Sequence, residues 1–188
     1  MGILLTSDTH FGAERTRQLS YRPFDSVYEM DNCIVTNHNK IVTPDDIVYH
    51  AGDFGNYEMV KELEGRIILV FGNYEENDLI IKFNNDFEAF KEYLLDLGFY
   101  SIIRGWTYVE DVRIVHKPSM CDKNGFNCFG HIHGSQKVRR YGLNVGVDCH
   151  FFRPVTWDMI CKHREAIDKY YDYEVFGEEP QNGNGLEN

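Results

Sequence analysis

Seven side chains in this sequence are of types that bind hard or borderline metal cations, and they fall at the ends of apolar runs: Asp8, His10, Asp53, Asn73, His116, His131 and His133. Asp8 and His10 are two apart, so in extended chain both point the same way; His131 and His133, inside Gly130-His131-Ile132-His133-Gly134, repeat that spacing. Asp53 follows Gly52, and Asn73 follows Gly72. All seven donors are oxygen or nitrogen. They exceed what one tetrahedral cation needs. If one carboxylate is shared, they suit two cations about 3.5–4 Å apart. Such donors suit Mn²⁺, the ion favoured here, and equally admit Fe, Zn²⁺, Co²⁺, Ni²⁺ or Mg²⁺, rather than copper(I) or an iron–sulfur cluster. Any one of these motifs alone is weak. Their ordered combination is hard to obtain by accident.

The elements that must carry them can be read from the hydrophobic pattern. Residues 2–7 predict a buried strand ending at Asp8; residues 47–51 a second, ending at Gly52-Asp53; residues 67–71 a third, ending at Gly72-Asn73. Strand carboxyl ends are where ligands bind in open α/β sheets. Helical spacing covers 24–40 (capped by Asp25 or Ser26), 56–64, 86–97 and 156–171. Short strands are expected at 99–103, 106–110, 112–116, 126–129 and 143–147. Two sheets with helices outside accommodate this order.

Composition bounds the function. The 188 residues, 43% hydrophobic and 26% charged, suit one soluble domain over 1–176, with the acidic, Gly- and Asn-rich stretch 177–188 expected to be disordered. A net charge of −11 argues against gripping long nucleic acid or an anionic membrane by the general surface. It leaves an anionic substrate open, because bound cations reverse the local field. The five cysteines are odd in number and form no CxxC, which argues against a zinc–thiolate or disulfide framework and for the cytoplasm. No run reaches 18 apolar residues and the first residues lack a basic leader, so neither a membrane span nor a signal peptide is expected. Homo-oligomerisation is not legible.

With these residues in order, the sequence resembles the calcineurin-like metallophosphoesterases, whose pattern is DxH, GD, GNH[DE], a His, then GHxH. Here it reads Asp8-Thr9-His10, Gly52-Asp53, Gly72-Asn73-Tyr74-Glu75, His116 and Gly130-His131-Ile132-His133. Leu143 to Asp148, Pro44-Asp45-Asp46 and Arg153-Pro154-Val155 look like the small bacterial and phage members. The resemblance implies a four-layer α-β-β-α sandwich of two mixed sheets flanked by helices. It implies one metal on Asp8, His10, Asp53 and His133, and another on Asp53, Asn73, His116 and His131, with Asp53 bridging beside a hydroxide that attacks phosphorus. Asp53, Asn73 and Tyr74 would be the catalytic set.

The pattern breaks at Tyr74, which stands where the family has the His that protonates the leaving group. A phenol titrates near 10 and an imidazole near 6.5, so tyrosine is a sluggish proton donor at neutral pH. Three routes stay open: a leaving group that needs little help, a proton from Tyr74, His50 or His150, or a site that binds metal with little catalysis. The reading is therefore a phosphodiesterase for a small, nucleotide-like or cyclic ester, with a phosphomonoesterase, a metal-binding interaction module and a nuclease for short oligonucleotides as alternatives. Tyr74, Arg139 and Arg140 are the substrate-contact candidates, with Lys137 nearby and one of Arg15, Arg17 or Arg22 for a second phosphate. Asp148 is a candidate to orient a ligating imidazole. His38 and His163 fall on predicted helices and read as structural.

Overall fold

The first strand, β1 (Ile3–Thr6), decides the layering in the computed structural model, which describes residues 1–176. Leu4 packs into one buried cluster and Leu5 into another. A strand alternates its side chains between faces, so this sheet is covered on both sides. Strands β2 (Ile47–His50), β3 (Arg66–Val70) and β4 (Ser101–Ile103) follow β1 in parallel. The second sheet holds β5 (Trp106–Val109), β6 (Val112–Val115), β7 (Asn127–Phe129), β8 (Val138–Arg139) and β9 (Gly142–Asn144), in the order β5-β6-β7-β9-β8. Its central strands β6, β7 and β9 are parallel and its edges antiparallel. A last strand, β10 (Val155–Thr156), pairs antiparallel with β1, so both sheets are five-stranded and mixed.

The first core joins Leu4, Val48, Ile67 and Leu69 to α2 (Val27–Asn39), α3 (Asn73–Phe83) and α4 (Phe87–Leu97) through Met30, Ile34, Leu79, Phe90 and Leu94. Ser26 caps α2 by accepting from the Glu29 N–H at 3.1 Å, and Asp86 caps α4 through Ala89 at 3.1 Å. The second core joins Leu5 and Val70 to Val112, Ile114, Cys128 and Leu143 of the other sheet, and to Ile160 and Ile167 of α5 (Trp157–Tyr170). The architecture is thus the expected sandwich of two mixed sheets with helices. No helix among the described residues is long and apolar enough to cross a membrane.

Several elements were not expected from the sequence. These are α1 (Glu14–Leu19), α3, the two-residue strands β8 and β10, and the short α6 (Tyr173–Phe176). The segment expected as a helix over 56–64 is a 3₁₀ helix, Tyr57–Glu62. The expected disorder of 177–188 lies outside the described residues.

Phe90 is fully buried, with ring contacts to Phe83 at 4.4 Å, Phe71 at 5.4 Å and Tyr57 at 5.7 Å. Phe90→Ala should destabilise the chain by about 3–5 kcal/mol in urea unfolding; a cost below about 1 kcal/mol would contradict this packing.

Candidate metal centre

Because β1, β2 and β3 are parallel, the loops after them leave from one edge. Ser7 bridges to Gly146, bringing the second sheet's loops to the same place. The turns there are tight. Asp8 (φ 56°), His10 (49°), Asp53 (58°), His131 (73°) and His133 (46°) all adopt left-handed backbone. For a residue other than glycine that costs roughly 1–3 kcal/mol each, and such strain clusters at functional sites. Two glycines permit the crowding. A Cβ on Gly72 would collide with the Asp53 side chain and, at 2.6 Å, with its backbone nitrogen. A Cβ on Gly130 would strike the Ser7 and Asp8 side chains.

Six of the seven donors converge in two groups. Asp8, His10 and His133 form one; Asp53, His116 and His131 form the other; within each the donor atoms lie within 4.8 Å. Asp53 Oδ2 stands 3.6 Å from His10 Nε2 and 3.4 Å from His116 Nε2, between the groups. Asn73, the first residue of α3, places Oδ1 2.8 Å from His131 Nδ1 and 3.0 Å from His116 Nε2. His10 and His133 stack with centroids 5.0 Å apart.

His116, Asp8, Asp53 and His133 are held from behind. The His116 Nδ1–H donates to the Ala51 carbonyl at 2.8 Å, which leaves Nε2 as the donor atom facing Asp53. Asp8 accepts from the His131 backbone N–H at 2.9 and 3.0 Å. Asp53 Oδ1 accepts from the Tyr74 N–H at 2.9 Å. The buried Glu75 carboxylate accepts from the N–H groups of Gly72 (2.8 Å), Asp53 (2.9 Å) and Phe54 (2.9 Å), clamping two donor loops together. Asp148 stands 3.2 Å from His133 Nδ1 and takes a two-pronged bond from Arg22 at 2.8 and 2.9 Å. Arg22 also donates to the Asp8 and Thr9 carbonyls. Arg22 is therefore a buried strut rather than a phosphate contact. His50 lies behind the site: it accepts from the Gly52 N–H at 3.2 Å and meets Thr9 Oγ1 at 3.0 Å.

The electrostatics follow from burial. Burial pushes the His10 imidazole down to about 3, so it is neutral at physiological pH. Burial likewise holds His50 to about 3 and His150 to about 4. Burial alone would raise Asp53, but the hydrogen bond and charge of His116, the Tyr74 N–H and His10 outweigh it and hold the carboxyl at about 2. Burial alone would lower His116, yet Asp53 and Asp8 push it up to about 9. A cation at this place would compete with that proton.

The donor set fits cations on an observation of its own. Both ring nitrogens of His10 are buried with no hydrogen-bond partner. An unpaired buried polar group is costly, and a coordinated cation on one side would remove that cost.

A cavity of about 1110 Å³ opens above the donors, with Tyr74, Arg139, Arg15, Tyr21 and Ser135 in its wall. A second hollow of about 600 Å³, between Gly12, Asn77 and Lys82, shares Arg15, Asn73 and Tyr74 with it. Tyr74 thus stands on the ridge between them, its ring edge-on to His10 at 4.6 Å. Gln136 and Tyr141 hold Arg139 at 3.0 and 3.4 Å. Arg140 borders the neighbouring hollows instead, its guanidinium 4.9 Å from the Phe176 ring centroid. Arg17 pairs with Glu14. Neither His50 nor His150 is in the cavity wall; the His150 Nε2–H donates to the Asn144 carbonyl at 2.7 Å. His38 binds the Glu64 carbonyl at 2.9 Å on α2, and His163 lies on α5.

Sequence reasoning named Asp148 to orient a ligating imidazole but offered Arg22 as a phosphate contact rather than as its partner, and gave Glu75 no role. An acid one helical turn beyond a glycine at a strand end was the available signal for Glu75.

This fold and donor set define a metal-dependent phosphoesterase. Residues 1–149 match the family model of the calcineurin-like phosphoesterase superfamily domain, and the chain belongs to that superfamily. It is similar to the uncharacterised protein MJ1445 of Methanocaldococcus jannaschii, 28% identical over 178 residues, 85% of this chain and 89% of that protein. The fold is also that of AQ665 from Aquifex aeolicus, a protein of unknown function. The TM-score is 0.63 at 22% identity, covering 86% of this chain and 98% of that one.

Two predictions follow from the geometry. Asp148→Asn should weaken metal binding about 10–100-fold by isothermal titration, since it disturbs the orientation of His133; unchanged affinity would remove Asp148 from the centre. The second concerns acid. His10, His50 and His150 stay neutral in the folded chain down to about 3–4, whereas unfolded histidine takes its proton near 6.5. Unfolded chain then binds more protons, so the stability these three contribute is fully present above about 6.5 and falls as pH drops toward 4. The urea midpoint of the metal-free chain should fall over that window, and His150→Gln should flatten the fall.

Proposed function

We propose that the chain is a two-metal phosphodiesterase acting on a small ester. The observation that carries this reading is Asp53 Oδ2 placed between the two donor groups, beneath a Tyr74 that has hollows on both sides. Asp8, His10, Asp53 and His133 would hold one cation; Asp53, Asn73, His116 and His131 the other, with Mn²⁺ favoured. Two such cations supply charge to hold phosphoryl oxygens and a water made acidic, its pKa lowered from 15.7 toward about 7.

The remaining work belongs to the chain. Asp53, ionised down to about 2, can serve both groups across the neutral range. Asn73 presents an amide oxygen that needs no deprotonation. The Tyr74 hydroxyl makes no hydrogen bond among the described residues, so it is free to donate one to a phosphoryl oxygen. A phenol near 10 is a poor acid for a leaving alkoxide, and general acid catalysis is typically worth 10²–10⁴. A substrate whose leaving group needs little protonation, such as a cyclic or aryl phosphodiester, suits that wall. A diester also carries two ester arms, and the two hollows offer each a place. Arg139, held by Gln136 and Tyr141, is aimed to meet the substrate's charge, and Arg140 extends the cationic side beyond it. Five unpaired cysteines suit a cytoplasmic setting.

The test is hydrolysis of bis-p-nitrophenyl phosphate beside p-nitrophenyl phosphate, with Mn²⁺ added or stripped, in wild type and Asp53→Ala. Metal-dependent cleavage favouring the diester, and a loss of at least about 10³-fold in Asp53→Ala, is expected. Preference for the monoester would replace this reading with a phosphatase. Silence on both with metal bound would replace it with a binding module. Tyr74→His should raise turnover of esters with poor leaving groups by about 10–100-fold; no gain would place the limiting step elsewhere.

A further inference from the structure

Tyr21 is the most exposed large apolar or aromatic side chain of the described residues, at 92%. It gains little from packing, and its left-handed backbone, φ 50°, closes α1: its N–H donates to the Gln18 carbonyl at 3.2 Å and the Arg22 N–H to the Arg17 carbonyl at 3.0 Å. That position usually takes glycine or asparagine, so the turn itself does not call for a tyrosine. Its surroundings do: it is in the wall of the cavity over the metal centre, on the stretch that follows α1.

Helix α1, just before it, supplies a cation. Three arginines follow Asp8 and His10. Arg17 is tied to Glu14 and to the Phe24 carbonyl, and Arg22 is buried on Asp148. Arg15 alone is exposed with no ion pair or hydrogen bond among the described residues, and it borders both hollows beside Tyr74. The cavity therefore combines a donor set for cations, an uncommitted guanidinium and an unpacked aromatic face. A phosphate joined to a flat ring system matches all three. A base stacked on an aromatic side chain is worth about 1–3 kcal/mol.

We propose that residues 15–21 form a nucleoside-recognising arm: one ester arm of the substrate is a nucleoside whose base stacks on Tyr21, and Arg15 pairs with a phosphate oxygen of the same molecule. This rests on the phosphodiesterase reading and names its substrate class. No bond changes beyond that hydrolysis are involved. Tyr21 and Arg15 are specificity residues.

The experiment compares thymidine 5′-(p-nitrophenyl phosphate) with methyl p-nitrophenyl phosphate. Both release p-nitrophenol, and only the first carries a base. Wild type should prefer the nucleoside ester in kcat/KM by at least about 10-fold. Tyr21→Ala should cut that ratio by about 5–100-fold, mainly through KM, while Tyr21→Phe and Tyr21→Trp keep it. Arg15→Ala should raise KM for both esters. Isothermal titration of the metal-free chain with thymidine 5′-monophosphate should show the same weakening in Tyr21→Ala, independently of turnover. An unchanged ratio in Tyr21→Ala, with both esters cleaved, would overturn this inference and leave the phosphodiesterase reading standing. Cleavage of neither ester by the Mn²⁺-loaded wild type, with p-nitrophenyl phosphate cleaved, would overturn both.

Discussion

A single buried carboxylate oxygen, Asp53 Oδ2, lies within 3.6 Å of one imidazole and 3.4 Å of another, and the rest of the site is arranged to keep it there. An ionised group out of water is tolerated only with compensating partners. Asp53 has the Tyr74 N–H on its other oxygen, and its own backbone N–H is held by Glu75. Glu75 ties the β2 and β3 loops together, so the same acid that caps α3 sets the distance between the loops of Asp53 and Asn73. The parallel register of β1, β2 and β3 brings the loops to one edge, and the left-handed turns aim the side chains inward. The hydrophobic cores beneath offset that strain.

From this centre the selectivity follows by position. The chain is acidic overall, yet the cavity wall carries Arg15 and Arg139. On the proposed reading, repulsion from the general surface would keep long polyanions away, while bound cations beside Arg15 and Arg139 would favour a small anion. On the same reading, Tyr74 would offer a phosphoryl oxygen a hydrogen-bonding hydroxyl in place of the family's imidazole, which suits an ester that leaves readily.

Much of the framework was legible in the sequence because its signals are local. Apolar runs ending in Asp8, Gly52-Asp53 and Gly72-Asn73 gave both the strands and the donors at their ends. Phe87, Phe90, Leu94 and Leu97 gave α4 through spacing alone. Other features leave no local trace. Helix α3 is mostly polar and begins on a donor residue, so its spacing carries little helical signal. Strands of two residues, such as β8 and β10, are too short to show alternation. Left-handed backbone is expected of glycine or asparagine, and nothing in Asp8, His10 or His133 announces it. The Arg22–Asp148 pair joins residues far apart in the chain, so an arginine beside the DxH motif looked like a phosphate contact when it is a strut.

The central claim is that Asp53 is shared by two cations, and metal stoichiometry tests it most directly. Chain dialysed against Mn²⁺, desalted and measured by elemental mass spectrometry should hold two ions per wild-type chain. If Asp53 serves both groups, as proposed, Asp53→Ala should lose tight binding at both. One ion per wild-type chain, or two retained in a folded Asp53→Ala variant, would contradict the account.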